Sequence, residues 1–147
     1  MITRADVIKE VLTWVGTPYQ HQARCKGYGV DCAMLAAGVA LNLGLLTEVE
    51  LSHIPAYPRD WHMHQDIPLL TTTMSLIGCA RKNIYDAQEG DIVVFKIGRV
   101  PSHLGILIDN NRMVHAYGNS GQKVVIQSLD AAWNKRLVDV YEYPGVI

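Results

Sequence analysis

The sequence predicts an α+β domain on two observations. Apolar residues recur at helical spacing early in the chain, and five short β-rich runs separated by turn residues fill its second half. Helices that come first and strands that come second, without strand–helix alternation, point to helices packed on an antiparallel sheet. At 147 residues the chain is long enough for one domain with a real core and too short for two of ordinary size. Residues 1–147 are therefore read as a single domain.

Thr3 followed by Asp6 has the form of a capping box, and Ile8, Val11, Leu12 and Val15 continue at helical spacing. This predicts a first helix from about residue 4 to Trp14, broken at "GTPY" by Gly16 and Pro18. Residues 19–31, "YQHQARCKGYGVD", show no sustained period and read as a loop, with Asp31 placed to cap a second helix. From Cys32 to about Leu43 that helix is apolar on every side, which predicts burial all round, and Gly44 suits its C-terminal cap. Residues 52–68 hold three prolines and three histidines and suit an ordered loop; a short helix is expected within 69–80. The β-rich runs are 91–97, 103–109, 112–118, 123–129 and 137–143.

A net charge near −1 gives no electrostatic grip for nucleic acid or acidic lipid, so neither is expected as a partner. No window approaches the length of a membrane-spanning helix, and the first residues do not resemble a signal peptide, so synthesis in the cytoplasm without membrane insertion is expected. Cys25, Cys32 and Cys79 are odd in number and share no CxxC spacing, which signals neither a disulfide framework nor a four-cysteine zinc site.

Cys32 can be read in two ways. A cysteine in an apolar helix is ordinarily core. At the first turn, however, unpaired N–H groups and the helix dipole favour thiolate, so a lowered pKa is expected. Of the six histidines, His103 and His115 fall within β-rich runs. A three-residue hairpin loop at "DNN", 109–111, would pair Ile108 with Arg112, His103 with Tyr117 and His115 with Gly105. The two imidazoles would then be diagonal neighbours on one face; a two-residue loop would send them to opposite faces. The plainer reading is two half-buried histidines bonded to backbone. Together with a helix-start cysteine they supply a nucleophile, a base and an orienting group.

"WVGTPYQHQ", "GVDCAML", "GDIVVF", "SHLGILID" and "MVHA" resemble, in order and spacing, the NlpC/P60 family of papain-like cysteine peptidases that cut bacterial cell-wall peptides. The lead-in "HQARCKGYGVDC" and the segment "YPRDWHMH" are most similar to the branch encoded by tailed phages and prophages. The resemblance implies a papain-like fold with the nucleophile on a helix facing the sheet. It implies catalytic roles for Cys32 as nucleophile, His103 as base and His115 as the residue that fixes the His103 tautomer. Tyr19 and Asp31 are implied as substrate-binding residues. The expected reaction is hydrolysis of the D-glutamyl bond to the diamino acid of a peptidoglycan stem peptide, with no cofactor or metal. Tail-tip proteins are the expected partners, and the virion tail, acting at the cell wall, the expected location.

The chain departs from the family where Ala33 replaces a frequent serine and where "QHQ" follows Tyr19. Two other readings stand beside the peptidase: a structural tail component with weak or no hydrolysis, and a papain-like amidase or acyltransferase on another substrate. A zinc site from Cys25, His62 and His64 lacks a fourth ligand. Cys79 reads as core, Cys25 as an exposed loop thiol, and Tyr117, Tyr141 and Tyr143 as packing residues.

Overall fold

The computed structural model describes residues 1–54, 69–118 and 122–147. Helix α1 spans Arg4–Leu12 and begins with the expected capping box: Thr3 N donates to Asp6 Oδ2 (2.8 Å) and Asp6 N donates to Thr3 Oγ1 (3.2 Å). It stops two residues short of Trp14. Thr13, Trp14 and Val15 donate to carbonyls three residues back, so the last turn tightens before Gly16, at φ +93°, redirects the chain. The loop that follows contains a small hairpin, β1 (Arg24–Cys25) with β2 (Gly29–Val30), which the sequence did not announce.

Helix α2, Cys32–Asn42, matches expectation at both ends. Asp31 Oδ1 accepts from Met34 N at the start. At the finish Gly44 N donates to Leu41 O and Leu45 N to Ala40 O, a paired closure that needs the left-handed Gly44 (φ +73°). Gly38 serves packing, because a Cβ there would lie 2.6 Å from the Trp14 ring. Helices α3 (Glu48–Leu51) and α4 (Leu69–Leu76) follow, the latter within the expected 69–80.

Five strands fall on the five expected runs, β4 (Ile92–Lys96), β6 (Arg112–Ala116), β7 (Val124–Ser128) and β8 (Leu137–Glu142) within them and β5 (Pro101–Leu107) beginning two residues earlier than its run. Strand β3 (Ala80–Lys82) and helix α5 (Ala131–Arg136) are additions. The sheet is antiparallel, in the order β3-β8-β4-β5-β6-β7. One face packs on α1, α2 and α4 through an aliphatic core that includes Val7, Leu35, Val39, Leu104 and Ile106; the other carries a smaller cluster of Val93, Phe95, Met113 and Trp133. The buried carboxylate of Asp91 ties α1 to the sheet by pairing with Arg4 (2.6 Å) and Lys82 (2.9 Å), so its charge is not left uncompensated.

Candidate active site

Because α2 is apolar all round, it is drawn in against the sheet, and its first residue arrives at β5. Cys32 Sγ lies 4.0 Å from the Ser102 carbonyl oxygen, and the backbone N–H groups of Leu104, Ala33 and Cys32 itself point to it. Pairing between β5 and β6 runs through Leu107–Met113 and Ile106–Val114. Leu104 N–H is next in line to bond β6 and is directed at the sulfur instead. The thiol thus occupies the place where the two strands part, against the backbone on either side of His103. Among the described residues no hydrogen bond joins Sγ to the His103 ring.

The histidines meet as the hairpin register requires. Asp109 Oδ1 accepts from Asn111 N (2.8 Å) and Ile108 N donates to Arg112 O (3.0 Å), which closes the three-residue loop. His103 Nε2 and His115 Nδ1 are then 2.8 Å apart. This contact leaves Nδ1 of His103 as the nitrogen available to a thiol. Gly105, one residue before the Ile106–Val114 pair as His115 is one residue after it, makes the approach possible: a Cβ there would lie 2.5 Å from Met113 Sδ and 3.3 Å from His115 Cβ.

Both rings lie on the sheet face away from α2, since His103 is the cross-strand partner of Phe95. Trp133 reaches them from α5, edge-on to His115 (5.2 Å between centroids) and tilted on His103 (5.7 Å). Tyr117 stacks on His115 at 5.5 Å and is 41% exposed, so it forms the outer wall. Helix α5 starts at Asp130, whose side chain accepts from Trp133 N. Trp133 and Gly105 are the site residues that sequence reasoning missed. An Asp followed three residues later by an apolar Trp, with Lys135 and Arg136 in the last turn, was the available signal for α5.

Burial sets the protonation states. It lowers His103 to about 3, helped by His115, and lowers His115 to about 4. The Cys32 thiol is pushed up to about 12, first by burial and then by the charge of Asp31. That is opposite to the lowered pKa expected from a helix start alone. Desolvation and a neighbouring carboxylate outweigh the N–H groups that favour thiolate. The resting site therefore holds a neutral thiol and two neutral imidazoles.

Asp31 is buried, with Oδ1 on Met34 N and Oδ2 accepting from Gln22 N at 2.7 Å; Gln22 has a positive φ of 60°. Tyr19 is half-buried, bridged to Val30, and its N–H donates to Gln122 O, which joins the loop before the nucleophile to the segment leading into β7. Cys25 is exposed and Cys79 buried, as expected. His62 and His64 lie outside the described residues. Among the described residues no cluster of His, Cys, Asp or Glu could hold a metal ion, and no helix is long and apolar enough to cross a membrane.

The model of the NlpC/P60 family matches residues 16–142. The chain belongs to the NlpC/P60 family. Among curated relatives, the Escherichia coli K12 protein named murein DD-endopeptidase MepS/murein LD-carboxypeptidase is 46% identical over 50 residues, 33% of this chain and 26% of that protein. A probable endopeptidase NlpC homolog of Haemophilus influenzae is 31% identical over 117 residues, 80% of this chain and 50% of that protein. The chain thus spans a quarter to a half of the length of these relatives. The NlpC/P60 domain of the peptidoglycan hydrolase SagA superposes with a TM-score of 0.67 at 16% identity, covering 96% of this chain and 99% of that one. The helices-on-antiparallel-sheet architecture is the papain-like fold of NlpC/P60 structures.

Proposed function

We propose that the chain is a cysteine endopeptidase of peptidoglycan stem peptides that cleaves the bond between D-glutamate and the diamino acid. The observation that carries this reading is the buried His103–His115 pair beside a helix-start thiol on a family-matched domain. Cys32 Sγ attacks the amide carbon while its proton passes to His103 Nδ1, which later delivers it to the leaving amine. Water then hydrolyses the acyl-enzyme, with His103 as base. Because thiol and imidazole are both neutral at rest, the proton moves as the carbon–sulfur bond forms rather than beforehand. The N–H groups of Cys32 and Ala33 are the donors for the developing oxyanion. His115 holds the His103 tautomer. Tyr19 and Asp31 belong to the substrate side, where the Asp31 carboxylate attracts an ammonium group while it caps α2. The lead-in "HQARCKGYGVDC" supports placement in the tail tip of a phage or prophage, among other tail proteins.

One observation favours a second reading, a structural tail component with weak hydrolysis: Sγ is held by backbone groups and is not bonded to the imidazole. Mass spectrometry of fragments released from diaminopimelate-type peptidoglycan separates the two. Wild type should release fragments ending at D-glutamate, and Cys32→Ala and His103→Ala should each lose at least about 10⁴-fold in rate. A folded wild type that releases nothing would turn the assignment to the structural reading.

A further inference from the structure

His115 is fully buried, and its Nε2 has no partner in hydrogen-bonding geometry. A neutral imidazole donates from one nitrogen and accepts at the other, so an unsatisfied Nε2 in a buried ring is costly and calls for a neighbour. The β6–β7 register supplies one. His115 pairs with Val125 and Met113 with Gln127, so Gln127 is the diagonal neighbour of His115 on the same face. Gln127 Nε2 donates to the Ser128 carbonyl oxygen at 3.2 Å. A carbonyl only accepts, so this contact identifies the nitrogen end of the carboxamide and leaves its oxygen as an acceptor. The same carboxamide acts on the imidazole, holding the His115 pKa up against burial.

We propose that Gln127 is a positioning residue whose carboxamide oxygen accepts the His115 Nε2 proton and thereby sets the direction of the whole proton chain. With Nε2 of His115 protonated, its Nδ1 must accept from His103 Nε2 across their 2.8 Å contact. His103 Nδ1 is then bare, the protonation a base for the thiol requires. The order runs from His103 to His115, Gln127 and the Ser128 carbonyl, each group donating once. Reversing the amide would reverse every link and leave His103 with a proton where it needs a lone pair. This inference rests on the peptidase reading for its catalytic consequence, but not for its tautomer.

The test is long-range ¹H–¹⁵N NMR of the imidazoles alongside pH–rate profiles on muropeptides, in wild type, Gln127→Leu, Gln127→Asn and Gln127→Glu. Wild type should show His115 protonated on Nε2 and His103 on Nε2. Gln127→Leu should give mixed tautomers and about a tenfold fall in kcat with KM within about twofold. Gln127→Glu should keep the Nε2-protonated form and raise the His115 pKa above that of wild type, with the order Leu, Gln, Glu from lowest to highest. Gln127→Asn, which keeps the amide on a shorter arm, should fall between Leu and wild type. Wild-type His115 protonated on Nδ1, or tautomers unchanged in Gln127→Leu, would overturn the proposal. Tautomers as expected without muropeptide release would overturn the peptidase reading and leave the assignment of Gln127 to the His115 tautomer intact.

Discussion

The face of the sheet that carries α2 is aliphatic, with Ile92, Val94, Leu104, Ile106 and Val114 buried against helix residues such as Val7, Leu35 and Val39. The opposite face sets two imidazoles among Phe95, Trp133 and Tyr117. On the first face, non-directional burial suffices, and any well-shaped set of apolar side chains would serve. On the second, two polar rings are kept dry, and each nitrogen must be matched by orientation. The thiol connects the two faces: it is delivered by the helix layer and contacts β5 through the backbone around His103. A single alternating strand therefore puts Leu104 into the aliphatic core and His103 into the polar pair on the opposite face.

If that division holds, truncations on the two faces should separate stability from proton chemistry. Trp133→Ala removes the ring that covers both histidines and should cost about 3–5 kcal/mol. It should also let water reach the imidazoles, so their pKa values should rise toward 6.5 in NMR titrations. Leu35→Ala, on the helix face, should cost about 2–5 kcal/mol by denaturant unfolding and leave the histidine titrations unmoved. A histidine shift in Leu35→Ala as large as that in Trp133→Ala would break the comparison.

Stability should also depend on pH through the histidine face. His103 and His115 titrate near 3 and 4 when folded and near 6.5 when unfolded, so between those values the unfolded chain holds more protons. Stability should fall as pH is lowered from about 6.5, with a slope of up to about 2.7 kcal/mol per pH unit for the pair. Carboxylates add their own effect mainly below pH 5, so the window between 6.5 and 5 reports the histidines. On the alkaline side, Cys32 and Cys79 keep their protons to about 12 when folded, so stability should fall above about pH 9. Equilibrium unfolding across this range, repeated with His103→Asn/His115→Asn, checks the assignment: the double variant should flatten the acid slope and leave the alkaline one.

The smallest effect sharpens the comparison most. Gly105→Ala adds one methyl group between Met113 and His115, and overpacking of that kind should cost about 1–3 kcal/mol. Its signature should be a disturbed His103–His115 contact, seen as a shift in both imidazole spectra. If the spectra are unchanged, the sheet relaxes around Gly105 and the histidine separation does not depend on it.

Much of this was legible in local patterns. The Thr3–Asp6 box, the Asp31 cap, the Gly44 closure and the five strands all depend on residues within a few positions of one another. The Asp109–Asn111 loop is local too, and because strand side chains alternate, its length alone decided that His103 and His115 share a face. Trp133 and Gln127 were not legible as site residues: the Asp130 cap and basic last turn mark α5 as a helix but not what Trp133 touches, and each residue reaches the histidines from another element. The thiol is the sharpest case. Its position at a helix start was evident in the sequence and argued for a low pKa, but the burial that reverses the shift exists only once α2 is packed where β5 and β6 part. Helix caps and hairpin registers follow from short-range sterics and hydrogen bonds; desolvation is a property of the whole fold and had to be decided there.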